Sequence, residues 1–334
     1  MLYIRVDMNN VIATGHMMRC LSVADAARDM GLETTFIVAD EQALSLLEKR
    51  GYLSVVLNTK WDDMDSELPV IKKVIEENHI EYLLIDSYKV TQNYLKELTA
   101  IVKTLYIDDV NAFVYPVNGL ICYANYWEKF GYDKKYSDTK LFLGPSYTPL
   151  KMVYKQCEPK IISPKLQSLL LVSGGTDPYG ILEGVLDKLQ KEVHENIDVI
   201  CGIYYAGYDI LCEKYAEYKN VNILKAVPDM EVYIKKADLA ITAGGTTLYE
   251  LCAMGTPALS YSFADNQLDN VRQFDKDGII DYCGDVRYDE VIGKMKELLG
   301  KYQNPKLREE RSRKMQALID GKGAWRIVEA IKGL

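Results

Sequence analysis

Short runs rich in β-branched and aromatic residues recur along the chain, with longer amphipathic stretches between them. That alternation is what βαβ units produce, because parallel strands need a crossover, usually helical, between them. Strands are expected at residues 3–6, 35–38, 54–57, 82–85, 104–107 and 119–122, and then at 169–172, 198–201, 221–224, 239–242 and 258–261. Helical stretches fill the gaps, as at 16–30, where Met17, Leu21, Ala24 and Ala27 recur at helical spacing. Residues 145–166 hold Pro145, Pro149, Pro159 and Pro164, four of the ten prolines. Proline fixes φ and removes a donor, so this segment reads as a linker. The 334 residues suit two domains of roughly 150 residues each. The expected division is an α/β domain at 1–144, the linker at 145–166, a second α/β domain at 167–312 and terminal helices at 313–334. The fold class is α/β, with two Rossmann-type doubly wound domains facing a cleft. Ligands of such sheets bind outside the carboxyl ends of the strands.

The formal net charge is −8, and acidic and basic residues are interspersed without a basic block, which speaks against nucleic acid as a partner. The seven cysteines are odd in number and none has CxxC spacing, which fits a reducing compartment better than a disulfide framework. Arg5 and Asp7 interrupt the apolar start, unlike a signal peptide. No apolar run approaches the about 20 residues needed to span a bilayer. A cytoplasmic protein without a membrane partner is expected.

The loop after the first strand carries Gly15 and His16 into a helix. A strand-to-helix loop delivers its residues to the carboxyl edge of the sheet, and Gly15 lets the backbone pass close to a ligand. Of the three histidines, His79 and His194 read as solvated connector positions. His16 is the one placed to act as a general base, or else to cap its helix. Arg5 and Asp7 either orient this loop as an ion pair or stand as solvated strand-end charges.

Two glycine loops follow strands in the second half. One is Ser173, Gly174, Gly175, Thr176, Asp177; the other is Gly244, Gly245, Thr246, Thr247. Paired glycines at a helix N-terminus let phosphate oxygens approach main-chain N–H groups. One such loop reads most simply as a tight turn, whereas two at strand ends point to anion binding. Neither has the spacing of a P-loop or a GxGxxG fingerprint, which speaks against a kinase or a dehydrogenase. Glu250 is placed to accept ribose hydroxyls or to complement the helix dipole. Asn266 and Gln267 are placed to meet a base or a phosphate, and Asp265 to do so or to act as an N-cap. Acidic residues at 62–65, 108–109 and 275–277 raise the question of a metal, but carboxylates at helix starts complement the dipole anyway. No metal and no cofactor are expected.

Arg5, Asp7, Ile12, Gly15, His16, Arg19, Cys20, Leu21, Asp86, Tyr88, Ser173 to Asp177, Gly244, Gly245, Glu250, Asn266 and Gln267 together resemble one family, the UDP-sugar hydrolases of the pseudaminic acid pathway. Members of that family release UDP from a diacetamido-trideoxy-altrose. The family is similar to GT-B glycosyltransferases, including the lipid II-forming N-acetylglucosaminyltransferase, so a GT-B-like architecture is implied. The resemblance implies that His16 is the base activating water, that Tyr88 lies in the sugar pocket and that Glu250 holds the ribose. It places Asp7, Gly15, Arg19, Gly174, Gly175, Thr176, Gly244, Gly245, Thr246, Thr247, Asn266 and Gln267 among the substrate-binding residues. The implied partner is a UDP-sugar, with neighbouring sugar-pathway enzymes as further candidates. Two departures stand out: Ala13, where members often have glycine, and a longer tail beyond residue 284 or so. In GT-B relatives a final helix often folds back over the first domain, and residues 324–334 correspond to it.

Overall fold

The computed structural model describes residues 1–9, 11–12, 14–189 and 196–334; Ala13 and His194 lie outside them. Contacts divide the chain into an amino-terminal unit, Met1–Met152 with Gly321–Leu334, and a carboxyl-terminal unit, Val153–Asp320.

The amino-terminal unit runs β1 (Leu2–Val6), α1 (Gly15–Asp29), β2 (Thr34–Val38), α2 (Leu44–Lys49), β3 (Leu53–Val56), α3 (Met64–Glu77), β4 (Tyr82–Asp86), α4 (Gln92–Thr99), β5 (Lys103–Ile107), β6 (Gly119–Cys122), α5 (Tyr132–Lys135) and β7 (Lys140–Leu143). Its seven strands are all parallel, in the order β3-β2-β1-β4-β5-β6-β7. Both faces of β1, β2 and β4 are covered, so these strands read as near-continuous apolar runs rather than alternating ones. Leu83, Ile85, Ile71, Leu95 and Leu120 lie in the core on one face.

The carboxyl-terminal unit runs β8 (Ser168–Val172), α6 (Ile181–Leu189), β9 (Asn196–Cys201), α7 (Tyr208–Lys214), β10 (Val221–Lys225), α8 (Met230–Lys236), β11 (Leu239–Ala243), α9 (Thr247–Met254), β12 (Ala258–Ser262), α10 (Asp265–Lys276), β13 (Asp281–Asp285), α11 (Val291–Tyr302) and α12 (Pro305–Leu318). Its six parallel strands lie in the order β10-β9-β8-β11-β12-β13. Leu169, Leu171, Ile197, Ile241 and Leu298 lie in its core.

The expected doubly wound α/β class is the class observed. All eleven expected strands form, and two more appear, β7 and β13. Both are edge strands with a neighbour on one side only, and their sequences, KLFL and DYCGD, lack the apolar continuity of the interior strands. The proline-rich stretch carries only short 3-10 turns, Pro145–Tyr147 and Met152–Tyr154.

The last helix, α13 (Gly323–Lys332), returns to the amino-terminal unit and packs on α1. Trp325 Nε1 donates to Asp29 Oδ2 at 2.7 Å, and Arg326 Nη1 donates to the Ser146 carbonyl at 2.9 Å. Gly323 allows that return, because a Cβ there would stand 2.1 Å from the Thr148 carbonyl oxygen. Among the described residues no helix is long and apolar enough to cross a membrane.

Candidate active site

Strand order reverses between β1 and β4, so the loops leaving these two strands diverge to opposite faces and open a crevice at their carboxyl ends. His16, at the start of α1, reaches Asp86, the last residue of β4. Nδ1 of His16 lies 2.6 Å from Asp86 Oδ1, and both side chains are buried. Arg19, one turn along α1, grips the same carboxylate from Nε to Oδ2 and from Nη2 to Oδ1, each at 2.5 Å. Cys20 Sγ completes the set at 3.4 Å from Oδ2. An ionised carboxylate has about four acceptor positions, and these four donors fill them.

Arg19 Nη2 also lies 2.9 Å from His16 Nδ1. A guanidinium has no acceptor and Asp86 has no proton to give, so Nδ1 carries the hydrogen and the short approach reflects two donors sharing Oδ1. The proton of the neutral ring therefore sits on Nδ1, leaving a lone pair on Nε2, which has no hydrogen-bond partner among the described residues. Burial alone would raise the Asp86 carboxyl, but the Arg19 guanidinium and then His16 hold it well below the usual carboxylate range.

Beyond Arg19 the cluster continues. Nη1 donates to Asp109 Oδ2 at 3.0 Å and to the Tyr123 hydroxyl at 2.7 Å. Tyr88 stands edge-on to the imidazole, with ring centroids 4.5 Å apart, and about half of it is exposed. Its hydroxyl end lies against Asp109; burial there, and then that carboxylate, push the phenol well up, so it stays protonated. Burial, partly offset by Arg19, pushes the Tyr123 phenol up to about 12.

Arg5 and Asp7 do something other than face solvent or ligand. Arg5 is fully buried and bidentate to Glu67, from Nε at 2.8 Å and Nη2 at 2.7 Å, while Nη1 meets Asp7 Oδ2 at 2.7 Å. Asp7 Oδ1 accepts the Ala39 N–H at 2.7 Å, and Tyr94 donates to Glu67 at 2.7 Å. Both oxygens of Asp7 are thus engaged inside the unit. The pair braces the root of the His16 loop against β2 and α3: of the two readings of Arg5 and Asp7, the ion pair is the one that forms, and it leaves Asp7 no free oxygen for the expected substrate contact. Sequence gave no sign of Glu67, 62 residues from its partner.

In the carboxyl-terminal unit the corresponding reversal lies between β8 and β11, and the two glycine loops leave those strands. After β8, Gly174 takes φ +87°, a conformation that favours glycine. The N–H groups of Gly174, Gly175 and Thr176 meet no acceptor among the described residues, and all three residues are exposed. Asp177 caps α6 instead, accepting the N–H groups of Ile181 and Leu182 at 2.9 Å each. Gly202 lies directly against this loop: a Cβ there would stand 2.2 Å from the Gly174 carbonyl oxygen and 2.3 Å from that of Gly175.

The loop after β11 differs from expectation. Gly244 N–H donates to the Tyr261 carbonyl and Gly245 N–H to the Ala243 carbonyl, each at 2.8 Å, so neither is a free donor. Gly244 is required for packing, because a Cβ would stand 2.3 Å from Val271 Cγ1 on α10. Among the described residues, the N–H groups of this loop that meet no acceptor are those of Thr246 and Thr247. Glu250 sits in the first turn of α9, close to the buried Tyr154 phenol, which burial and then Glu250 push well up. On α10, Asn266 is exposed and Gln267 Oε1 accepts the Phe263 N–H at 3.0 Å. Ala264, not Asp265, is the N-cap; Asp265 pairs with Arg287 at 2.7 Å.

His79 is an exposed connector residue with φ +49°. Of the acidic groups, Asp65 holds Thr91 and Asn93 at 3.0 Å each, Asp108 accepts from Tyr115 and Tyr132, Asp109 pairs with Arg19, and Asp275 accepts the Tyr282 N–H. Among the described residues no three His, Cys, Asp or Glu side chains gather as a metal site. Sequence reasoning pairs neither Asp86 nor Asp109 with His16 or Arg19 and does not name Tyr123; the available signal is their common place at the carboxyl ends of β4, β5 and β6.

Comparison with known proteins agrees with this architecture. Residues 169–326 match the glycosyltransferase family 28 C-terminal domain. The chain is 25% identical over 260 residues to an uncharacterized protein of Methanocaldococcus jannaschii, covering 73% of this chain and 52% of that protein. It is 26% identical over 204 residues to the spore coat polysaccharide biosynthesis protein SpsG of Bacillus subtilis, covering 59% of each. The chain thus spans little more than half the length of the curated relatives it matches. Among solved structures it is similar to MurG of Acinetobacter baumannii, with a TM-score of 0.75 and 14% identity over 100% of this chain and 99% of that one. The two parallel sheets and these likenesses establish a GT-B glycosyltransferase-like fold.

Proposed function

We propose that this protein is an enzyme that hydrolyses a UDP-activated sugar at its anomeric carbon, with His16 as general base. The observation that carries the reading is the buried contact between His16 Nδ1 and Asp86 Oδ1 at the strand reversal, which orients the ring and leaves the Nε2 lone pair available. A water oxygen attacks the anomeric carbon as the bond from that carbon to the diphosphate oxygen breaks. UDP departs with the bonding electrons, the water proton goes to Nε2, and the configuration inverts. The N–H groups of Gly174 to Thr176, Thr246 and Thr247 are suited to the diphosphate, where fixed donors act on developing charge. Tyr88, half exposed beside the ring, is assigned to the sugar, and Glu250 to the ribose.

The finer assignment, a diacetamido-trideoxy sugar on a route to nonulosonic acids of the pseudaminic type, rests on the resemblance in sequence. An NMR time course with a panel of UDP-diacetamido sugars and no acceptor tests it. Release of UDP and free sugar of inverted configuration is the expected result. Turnover only after addition of an acceptor alcohol would replace hydrolysis by glycosyl transfer, an alternative with which the family 28 match is equally compatible. UDP binding without turnover of any sugar would leave a nucleotide-sugar-binding protein.

A further inference from the structure

Sequence resemblance places Arg19 among the substrate contacts, but its surroundings leave little of it for a substrate. Four of its five N–H groups are directed at protein acceptors: two at Asp86, one at Asp109 and one at Tyr123. Its side chain is 12% exposed. An arginine that recognises a phosphate presents a free bidentate edge; here that edge faces Asp86.

We propose that Arg19 is a positioning residue for His16: it fixes Asp86 as the acceptor of the Nδ1 proton and sets a permanent positive charge beside the imidazole, which opposes a second proton on the ring. The inference rests on the reading of His16 as a base. A carboxylate alone beside an imidazole does two things at once, because it orients the ring and also favours its protonated, catalytically inert form. A guanidinium on the same carboxylate keeps the orientation and offsets the attraction. Among the described residues the ring is met by Arg19 from α1 and by Asp86 and Tyr88 at the end of β4; around them, Cys20 touches Asp86, while Asp109 after β5 and Tyr123 after β6 touch Arg19. Burial holds Cys20, Tyr88 and Tyr123 protonated, so the charges acting on the ring are those of Arg19, Asp86 and Asp109. Asp109 sits on the far side of Arg19 and restrains it.

The test combines the pH dependence of kcat/KM with nitrogen-15 NMR of the imidazole in the substrate-free protein, for wild type, Arg19→Met, Arg19→Lys and Asp109→Asn. The chain has three histidines, so His16→Asn assigns the signal. Arg19→Met is expected to move the acid limb of the profile to higher pH by about one unit and to change KM by less than about threefold, because no substrate contact is removed. Arg19→Lys, which keeps the charge but not the fork, falls between. Asp109→Asn, which removes an anion, moves the limb to lower pH. An unmoved limb with KM raised about tenfold or more would make Arg19 a substrate contact and overturn the assignment. Should Arg19→Met fail to fold, Asp109→Asn decides: a limb that stays in place overturns the proposal. The NMR measurement needs no turnover. If no sugar nucleotide is hydrolysed yet the ring responds as stated, the function fails and the role of Arg19 stands; hydrolysis with an unresponsive ring gives the reverse.

Discussion

The two strand reversals of this chain are built to the same plan and filled with opposite materials. At the β1–β4 reversal, side chains do the work: an imidazole, a guanidinium and a carboxylate lie within 2.9 Å of one another, and almost every polar atom has a named partner. At the β8–β11 reversal the side chains are small and the main chain is exposed, with N–H groups from Gly174 to Thr176 left open among the described residues. The difference matches what the two proposed tasks would require. Moving a proton needs a group of defined tautomer, and only a network of oriented partners defines it. Holding a diphosphate needs several donors converging on diffuse charge, which a glycine loop at a helix start supplies without a lysine. An acidic chain of net charge −8 can therefore bind an anion without a basic patch.

The largest effect should come from breaking the first of these sites. His16→Ala is expected to lower turnover about 100- to 10,000-fold, the range for loss of a general base, and to leave UDP affinity within about threefold, because a base that acts only on the water contributes to kcat and not to ground-state binding. Calorimetric titration with UDP beside a turnover assay measures both. Equal losses in the two would mean that the ring contacts the nucleotide, and the division of labour between the sites would be wrong.

Breaking the second site should give the complementary result at smaller size. In Gly202→Ala the new methyl meets two main-chain oxygens of the β8 loop, and neither can rotate away. The loop must shift, and loss of one hydrogen bond to a charged group, about 1.5–3 kcal/mol, corresponds to roughly 10- to 100-fold in affinity for UDP. KM is expected to rise by that factor while the tautomer of His16, read by NMR, stays as in wild type. Gly244→Ala makes a contrast, because its clash is with Val271 in the core of the unit and shows first in stability.

How far these sites were legible follows the same contrast. The glycine loops declare themselves in sequence, because a loop that works through its main chain is written in consecutive residues. Even there, pattern alone did not reveal that Gly244 and Gly245 use their N–H groups in turns, since that depends on where β12 runs. The side-chain site was half legible. His16 stands out because histidine is scarce and this one begins a helix after a strand. Its partner lies 70 residues away, and nothing local to Asp86 distinguishes a carboxylate that orients a base from one that ends a strand. Arg5 is ambiguous in sequence for a related reason: an arginine in a strand reads equally as an ion-pair partner or an edge charge until Glu67, on α3, is seen to engage it. Strand signal follows the apolar run: the edge strands β3 and β10 carry LSVV and VNILK and are legible, whereas at the opposite edges β13, DYCGD, has no such run and β7 is a run of three apolar residues after a lysine.

The smallest expected effect is on stability in acid, and it separates two carboxylates on neighbouring strands. Burial raises Asp7 despite Arg5, whereas Asp86 is held low by Arg19 and His16 against its burial. For a carboxyl lowered by folding, the stabilisation is complete above its ordinary value, near pH 4, and is lost as the pH falls from there toward the folded value. For one raised by folding the sense reverses: its contribution is present in acid and is lost as the pH rises through the folded value. Asp86→Asn should therefore flatten the acid side of the stability curve, removing about 1 kcal/mol of the decline between pH 5 and pH 3, whereas Asp7→Asn should steepen it. Trp61, Trp127 and Trp325, all the tryptophans of the chain, belong to the amino-terminal unit, so urea titration followed by tryptophan fluorescence reports on that unit alone. Parallel curves for Asp86→Asn and wild type would mean that Arg19 does not hold the carboxylate ionised, and the account of His16 would lose its electrostatic basis.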